Sequence, residues 1–171
     1  MTITIDNIKT WRDWGMVLTP AKDKKPLTKN KVWSADWTED DLLKADRIAV
    51  FHQPEKRNVK GANIMTIDFD CPKFIASAFS SMFPASFSMG KKDSTGAIRP
   101  THIEYEIDPA DKPRGKDVPK YEGVIEVLTS TCSIIAGKDR HLIHNVKPLR
   151  LSKTQLESVL ETVKVVNFLR E

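Results

Sequence analysis

The sequence predicts an α+β fold: a mixed, largely antiparallel sheet with flanking helices. Segments rich in β-branched and apolar residues are typical of strands and lie at 47–52, 63–70, 101–107, 123–129 and 132–137. Amphipathic helical spacing appears before the first segment, after the second and at the end of the chain. Because the last three segments follow one another without a helix, we expect antiparallel pairing there, with 132–137 as the hairpin partner of 123–129. The sheet should have about six strands.

The N-terminal region is predicted to contain a capped helix, a strand and a basic loop. Asp6 can cap a helix over 7–14, because its carboxylate accepts hydrogen bonds from the free N–H groups of a first turn. Gly15 is typical of a helix end and precedes the strand-like segment 16–20. The next segment, AKDKKPLTKNKVW (21–33), combines lysines with a proline and therefore predicts a basic loop.

Two capping boxes and one proline predict where the other helices begin. Thr38 with Asp41, and Ser152 with Gln155, have the spacing at which two residues reciprocally satisfy free N–H groups at a helix start. Pro72 stands directly before the amphipathic stretch KFIASAFSSMF, where its fixed φ suits a first turn. That helix should therefore begin immediately behind the acid pair of the preceding strand.

Length and composition favour one compact domain of 171 residues, since 40% hydrophobic residues suffice for a core. We distinguish an N-terminal subregion with the basic loop (1–60), a catalytic sheet (61–150) and a C-terminal helix (152–170). Cys71 and Cys132 have no CxxC companion and predict reduced thiols. No segment has the pattern of a signal peptide or the length of a membrane span, so we expect a cytoplasmic protein without membrane contact.

Charge is unevenly distributed along the chain. The formal net charge is +4 and the pI about 9.0, with basic residues bunched in AKDKKPLTKNK and GKKDSTGAIR. Such bunching is typical of a protein with a polyanionic partner, and equally of one with solvated basic loops. Composition leaves both alternatives open.

Candidate chemistry begins in the segment ANIMTIDFDCP, where an apolar run ends in Asp68 and Asp70. Acids at i and i+2 share one face of a strand. Aligning the faces of the later strands puts His102 and Glu126 on the same polar face, while the intervening residues face the core. These expected core residues are Ile67, Phe69, Ile103, Tyr105, Ile107, Ile125 and Val127.

If these strands are neighbours, three carboxylates and one histidine meet. Carboxylates at close range repel one another, and a divalent cation relieves the repulsion. Oxygen ligands favour Mg²⁺ or Mn²⁺, and a two-metal site can activate an attacking hydroxyl and stabilise a leaving oxygen in phosphoryl transfer. We therefore expect Asp68, Asp70 and Glu126 as catalytic metal ligands, with His102 donating to a nucleotide phosphate.

Each of these residues also has an ordinary explanation. A D-x-D pair is common, and a histidine on an alternating strand is more often a surface or satisfied residue than a ligand. Glu126, within VIEVL, is less ordinary, because an acid in an apolar strand is costly to bury without a partner. The individual residues leave both explanations open.

The succession of TIDFD, RPTHIEYEI and GVIEVLTSTCSIIAG resembles the three motifs of the archaeo-eukaryotic primase superfamily, in particular the primase-polymerase domains of phages and plasmids. In that family an hhhDhD strand carries two metal-binding acids. A strand with an S-x-H-like motif carries a histidine that contacts nucleotide phosphates, and an hhD/E strand carries the third acid. The N-terminal WGMVLTPAKDKKPLTKNKVW is similar to the family's opening. The chain departs from the family at Pro100, where many members have Ser.

The resemblance, which extends from about Trp14 to Gly137, implies an RRM-like primase-polymerase core. Asp68, Asp70 and Glu126 would hold two Mg²⁺ or Mn²⁺ ions, and His102 would bind the nucleotide. Arg99 and Lys92 are further nucleotide-binding candidates, because cations near the second motif can hold phosphates. Additional contacts with phosphate or template are expected from Lys24, Lys25, Lys138 and Arg140.

The expected function is therefore metal-dependent nucleotidyl transfer by a DNA primase or polymerase that adds nucleoside triphosphates to a 3′-hydroxyl on a DNA template. Such a protein would be encoded by a phage or plasmid, act in the host cytoplasm beside a helicase or another replication protein, and could be one domain of a larger polypeptide. Two alternatives stay open. One is a catalytically weak or inactive primase-like module that binds DNA. The other is a different D-x-D enzyme, such as a sugar-nucleotide transferase.

Overall fold

The computed structural model describes residues 3–30, 32, 34–113 and 125–168. In chain order its elements are α1 (Ile5–Asp13), β1 (Leu18–Lys22), β2 (Lys25–Pro26), α2 (Glu39–Lys44), β3 (Arg47–Phe51), β4 (Ile64–Phe69), α3 (Lys73–Ser80), β5 (Phe87–Lys92), β6 (Ile98–Glu106), β7 (Ile125–Leu128), β8 (Cys132–Gly137), β9 (His141–His144), β10 (Leu149–Arg150) and α4 (Lys153–Phe168). The first residues of the strand predicted at 123–129 lie outside the described residues. No helix in the described ranges is long and apolar enough to cross a membrane.

The strands form two sheets. One has the order β2-β1-β3-β8 and the other β7-β4-β6-β5-β9, with β10 running parallel to the end of β6. The other pairings between these strands are antiparallel. The predicted α+β class, with largely antiparallel strands and flanking helices, is confirmed.

The prediction of a single sheet, with 132–137 as the hairpin partner of 123–129, is wrong. β8 pairs with β3 in the first sheet, whereas β7 pairs with β4 in the second. The physical reason is burial, because residues 133–136 are all buried. A strand buried on both faces needs packed layers on both sides, which a hairpin at the edge strand β7 does not provide.

The largest apolar cluster lies on one face of the second sheet, together with α3 and α4. It contains all the core residues predicted from strand alternation: Ile67, Phe69, Ile103, Tyr105, Ile107, Ile125 and Val127. That prediction is confirmed. Because successive side chains of a strand point to opposite faces, the intervening residues of β4, β6 and β7 lie on the other face. The first sheet packs there, through the contacts of Ser133 and Ile134 described below.

Both predicted capping boxes are confirmed, and the predicted cap at Asp6 is wrong. The boxes at 38–41 and 152–155 show the reciprocal hydrogen bonds expected of them. The helix α1 instead begins at Ile5, with Thr4 as its N-cap, and the Thr4 hydroxyl accepts the N–H of Asn7 at 3.2 Å. Asp6 lies inside the first turn, where its charge still favours the helix N-terminus.

The close approach of β5 to β6 depends on Gly90. The register of the two strands shifts between Met89 and Gly90, and a Cβ on Gly90 would lie 2.2 Å from the carbonyl oxygen of Arg99. Since a backbone carbonyl in a sheet cannot move aside, only glycine fits at this position. The same register sets Lys91 directly opposite Arg99.

Asn167 fixes the edge strand β7 to α4. The side chain is buried; its Nδ2 donates to the carbonyl of Ile125 at 3.1 Å and its Oδ1 accepts the N–H of Ile125 at 3.3 Å. An edge strand exposes a row of backbone groups, and here one amide side chain satisfies two of them in place of a further strand. Glu126 is the next residue, so this contact also helps to set its position in the sheet.

We predict that Asn167→Leu lowers the free energy of unfolding by about 2 kcal/mol, because it leaves two buried backbone groups of Ile125 without partners. Urea unfolding measures this loss, and amide hydrogen exchange at Ile125 should become faster. The control Lys164→Gln, at an exposed position of α4, should change neither. Unchanged exchange at Ile125 in Asn167→Leu would contradict the prediction.

Candidate functional site

The strand register brings three of the expected site residues side by side. Asp68 of β4 lies directly opposite His102 of β6 and directly opposite Glu126 of β7. Directly opposed residues share one face of a sheet, so the three side chains start from neighbouring positions on the face that is turned away from the apolar cluster. Asp70 follows the end of β4 and is exposed, immediately before the chain turns into α3.

His102 holds Asp68 through a direct polar contact. The imidazole Nε2 lies 3.3 Å from Oδ1 of Asp68, and Nδ1 lies 3.0 Å from the carbonyl oxygen of Ile134. Both neighbours of the ring are acceptors, so the contacts hold the ring plane between the Asp68 carboxylate and the Ile134 carbonyl.

The pKa of Asp68 is lowered. Burial alone would raise this pKa, but the hydrogen bond and charge of His102, with smaller contributions from Arg140 and Lys24, outweigh the effect of burial. Asp68 is thus an ionised carboxylate in a partly buried position, with 28% of its side chain exposed. A carboxylate in this state can accept hydrogen bonds or bind a cation.

Beside this pair the molecule has a pocket of about 160 Å³ with charged walls. Six charged residues of the described structure line it: Asp68, Asp70, Lys24, Lys91, Arg99 and Arg140. All of them except Lys91 are expected site residues. His102 also lines the pocket. The structure thus brings most of the expected site residues into one cavity, and cations outnumber carboxylates there.

Arg140 is the most unusual cation of this pocket. It is 7% exposed, its Nη1 donates to Oγ1 of Thr101 at 2.9 Å, and its Nε is buried without a hydrogen-bond partner among the described residues. No carboxylate in the described part of the chain lies within ion-pair distance of it, and burial lowers its pKa despite the charges of Asp139 and Asp68. A buried guanidinium with unused donors is a strong site for an anion.

Arg99 and Lys91 are partly committed to the protein. Arg99 donates from Nη1 to the carbonyl of Cys71 at 2.8 Å, which ties β6 to the chain just after Asp70. Lys91 lies 3.6 Å from Oδ2 of Asp139, a carboxylate that also pairs with Arg47 at 3.3 Å. Both residues line the pocket and have more N–H donors than these contacts use.

Four expected site residues do not line this pocket in the described structure: Glu126, Lys25, Lys92 and Lys138. Lys138 is largely exposed and pairs with Asp46 at 3.3 Å. Lys92 is exposed at the end of β5, and Lys25 belongs to the short edge strand β2. Glu126 is half-buried opposite Asp68 and has interactions of its own.

In the described part of the chain the expected metal ligands do not form a complete metal-binding site. Within the described ranges no group of three or more His, Cys, Asp or Glu side chains is arranged to hold a metal ion. Asp68 and Asp70 nevertheless line one pocket and supply carboxylate oxygens, the donors that Mg²⁺ and Mn²⁺ prefer. Mg²⁺ is usually held by one or two carboxylates together with substrate phosphates, and these two acids fit that pattern.

Behind the pocket lies a buried polar network that the sequence analysis did not assign to the site. Glu104 of β6 is fully buried and its carboxyl oxygens are in hydrogen-bond contact with the hydroxyls of Thr66 of β4 and Ser133 of β8, the latter at 3.0 Å. His52, just after β3, contacts Thr66 through Nε2 at 3.0 Å. The sequence contains one indication of this network, because Glu104 follows His102 at i+2 and therefore lies on the same polar face of the strand.

No family model matches the chain, and neither a curated protein nor a solved structure shows significant similarity to it.

His52 makes the stability of this network dependent on pH. Burial lowers the pKa of His52 from 6.5 to about 3, with further lowering by the charges of His102 and Lys112. The folded state therefore keeps His52 neutral at a pH where the unfolded state already binds a proton. Its contribution is complete above about pH 6.5 and is lost progressively as the pH falls towards 3.

We predict that His52→Gln, whose amide can still donate to Thr66, removes this dependence. The difference in unfolding free energy between the wild type and the variant should shift by about 2 kcal/mol in favour of the variant between about pH 7.5 and pH 5. Urea unfolding at several pH values measures it. A difference that stays constant with pH for His52→Gln would refute the prediction.

Proposed function

We propose that this chain is a metal-dependent nucleotidyltransferase of the primase-polymerase type, which adds nucleotides to a 3′-hydroxyl on a DNA template. One observation carries the proposal: Asp68 stands between His102 and Glu126 in the register of three adjacent strands, at the edge of a cation-lined pocket. The motif order in the sequence supports the same function independently. The RRM-like primase-polymerase architecture is part of this proposal.

The pocket suits the phosphate part of a nucleotide. Its volume of about 160 Å³ is below the roughly 300–1,000 Å³ of typical small-molecule sites, so base and sugar would extend outside it. Arg140 and Arg99 are suited to bind phosphate oxygens, and Lys24 and Lys91 add positive charge. His102 directs its Nε2–H towards the same space, where a phosphate oxygen can replace Asp68 as its acceptor.

Mg²⁺ or Mn²⁺ would be held by Asp68 and Asp70, with Glu126 as a third carboxylate from the neighbouring strand. A bound divalent cation neutralises phosphate charge and activates an attacking hydroxyl. Because two carboxylates line the pocket in the described part of the chain, nucleotide phosphates would have to complete the ligand set. We therefore expect metal and nucleotide to bind cooperatively, each weakly without the other.

Template contacts are best assigned to a neighbouring groove. Arg140 also lines a second, larger cavity of about 760 Å³ between α2 and the β8–β9 turn. Further cations of that groove are Lys44, Arg47 and Lys138, and His141 also lines it. A DNA backbone in this groove would run next to the nucleotide pocket, and its affinity would fall with rising salt.

A second candidate function is a DNA-binding accessory module that does not transfer nucleotides. Two observations favour it: the described residues contain no group of three metal-binding side chains, and Asp68 is already paired with His102. Titration calorimetry with Mn²⁺ and dATP separates the candidates. Heat of nucleotide binding that requires the metal supports the transferase, and DNA binding without such heat supports the accessory module.

We predict that Asp68→Asn reduces primer extension in the presence of Mn²⁺ by at least about 100-fold, or roughly 2.7 kcal/mol of transition-state stabilisation. The substitution keeps the shape of the side chain and removes its charge. Primer-extension gels measure the loss, and circular dichroism verifies the fold. Asp36→Asn, at an exposed acid, is the matched control. Full extension by an Asp68→Asn, Asp70→Asn double variant would exclude the transferase.

We predict that Arg140→Gln weakens binding of dATP with Mn²⁺ by about tenfold, since it removes a charged hydrogen-bond donor from the pocket. Lys138→Gln is the matched control, because Lys138 lies two residues away in the same turn but is exposed and outside the pocket. Calorimetry of both variants measures the effect. Equal weakening by the two substitutions would indicate general electrostatic attraction and contradict a specific role for Arg140.

A further inference from the structure

Glu104, Thr66 and Ser133 form a closed ring of polar contacts between the two sheets. Oε2 of Glu104 contacts Oγ1 of Thr66, Oε1 of Glu104 lies 3.0 Å from Oγ of Ser133, and the two hydroxyl oxygens lie 2.9 Å apart. All three residues are buried, with Glu104 and Thr66 fully inaccessible. The ring joins β4 and β6 of the second sheet to β8 of the first.

The number of protons decides the charge of Glu104 in this ring. Three oxygen contacts need three protons to be hydrogen bonds, and the hydroxyls of Thr66 and Ser133 supply one each. The third must come from the carboxyl group of Glu104. With that proton Thr66 donates once and accepts once within the ring, and its second acceptor position is open to Nε2 of His52, 3.0 Å away, in the tautomer that protonates this nitrogen.

The surroundings of Glu104 agree with a neutral carboxyl group. Its ionisable neighbours are His102 on its own strand, 3.9 Å away, Asp68 of β4 and, through Thr66, His52 after β3; β8 contributes the uncharged Ser133. Burial raises the pKa of Glu104, and the charge of His102 and the two hydroxyl hydrogen bonds do not reverse this.

The ring is linked to the candidate site through one peptide unit. Ser133 is a ring member, and the carbonyl of the next residue, Ile134, accepts Nδ1–H of His102 at 3.0 Å. That hydrogen bond turns Nε2 of His102 towards Asp68, 3.3 Å away. If Ser133 shifts, the acceptor that orients His102 shifts with it.

We propose that Glu104, acting as a protonated acid, is a positioning residue of the candidate site: its ring fixes β8 so that the Ile134 carbonyl orients His102 towards Asp68. The inference rests on the proposed function only in that His102 and Asp68 are the site. Glu104 itself does not line the pocket and contacts no substrate.

The first test compares Glu104→Gln with the wild type by urea unfolding between about pH 5 and pH 8. The amide of glutamine has one donor and one acceptor side and can close the same ring. A Glu104 that stays protonated in the folded state makes the wild type lose stability relative to Glu104→Gln as the pH rises, because only the unfolded state then gains by releasing a proton. A difference between the wild type and the variant that stays constant from about pH 5 to pH 8 would mean that Glu104 is already ionised in the folded state, and would overturn the proposal.

The second test observes His102 directly, in protein labelled with ¹⁵N-histidine. The Nδ1–H signal of His102 should exchange slowly in the wild type and in Glu104→Gln, and at least about tenfold faster in Glu104→Leu and Ser133→Ala. Ser88→Ala is the matched control, because it removes another buried serine hydroxyl, one that contacts His144 instead of the ring. Ser133→Ala also serves if Glu104→Leu does not fold.

The third test measures binding of dATP with Mn²⁺ by calorimetry. Glu104→Gln should bind within about twofold of the wild type, and Ser133→Ala about tenfold more weakly. Unchanged exchange at His102 in Ser133→Ala overturns the proposal, as does equal damage from Glu104→Gln and Glu104→Leu. If the wild type binds no nucleotide, the proposed function fails, and the pH and exchange tests still decide the role of Glu104.

Discussion

The two sheets pack against each other through a face of β4 and β6 that is lined with polar side chains. Apolar residues bury one face of β4 and β6, so Thr66, Asp68, His102 and Glu104 must point at the first sheet. Polar groups removed from water need hydrogen-bond partners. β8 supplies them with the Ser133 hydroxyl and the Ile134 carbonyl. The position of β8, and with it the packing of the first sheet, follows from this need for hydrogen-bond partners.

Strand alternation explains why part of the site could be predicted from the sequence. A period of two assigns every residue of β4, β6 and β7 to a face, so Asp68, His102 and Glu126 could be grouped without knowing the structure. The same rule predicted the apolar cluster correctly. It says nothing about which strand covers the polar face, and β8, as a continuous apolar run, has no alternation to show its partner.

The cations of the pocket illustrate the limit of local patterns. Lys91 and Lys92 are neighbours in sequence, yet only Lys91 lines the pocket, because adjacent residues of β5 point to opposite faces. Lys138 and Arg140 belong to one turn, and only Arg140 is buried there. A cluster of basic residues in the sequence predicts positive electrostatic potential near a site. Which cation reaches it depends on the strand face and on the turn geometry.

The balance of positive and negative charges in the pocket bears on the function of the pocket. Two acids at a solvated strand end need no cations beside them, because water stabilises their charge. A structural ion pair would be complete with Asp68 and His102. Here Lys24, Lys91, Arg99 and Arg140 are added, and Arg140 is buried with an unsatisfied Nε. Lys24 is exposed, Lys91 pairs with Asp139 and Arg99 donates to the Cys71 carbonyl, so the cost in stability falls on the buried Arg140. A phosphate in the pocket would lower that cost by adding negative charge beside the guanidinium, and this is the physical argument behind the proposed nucleotide site.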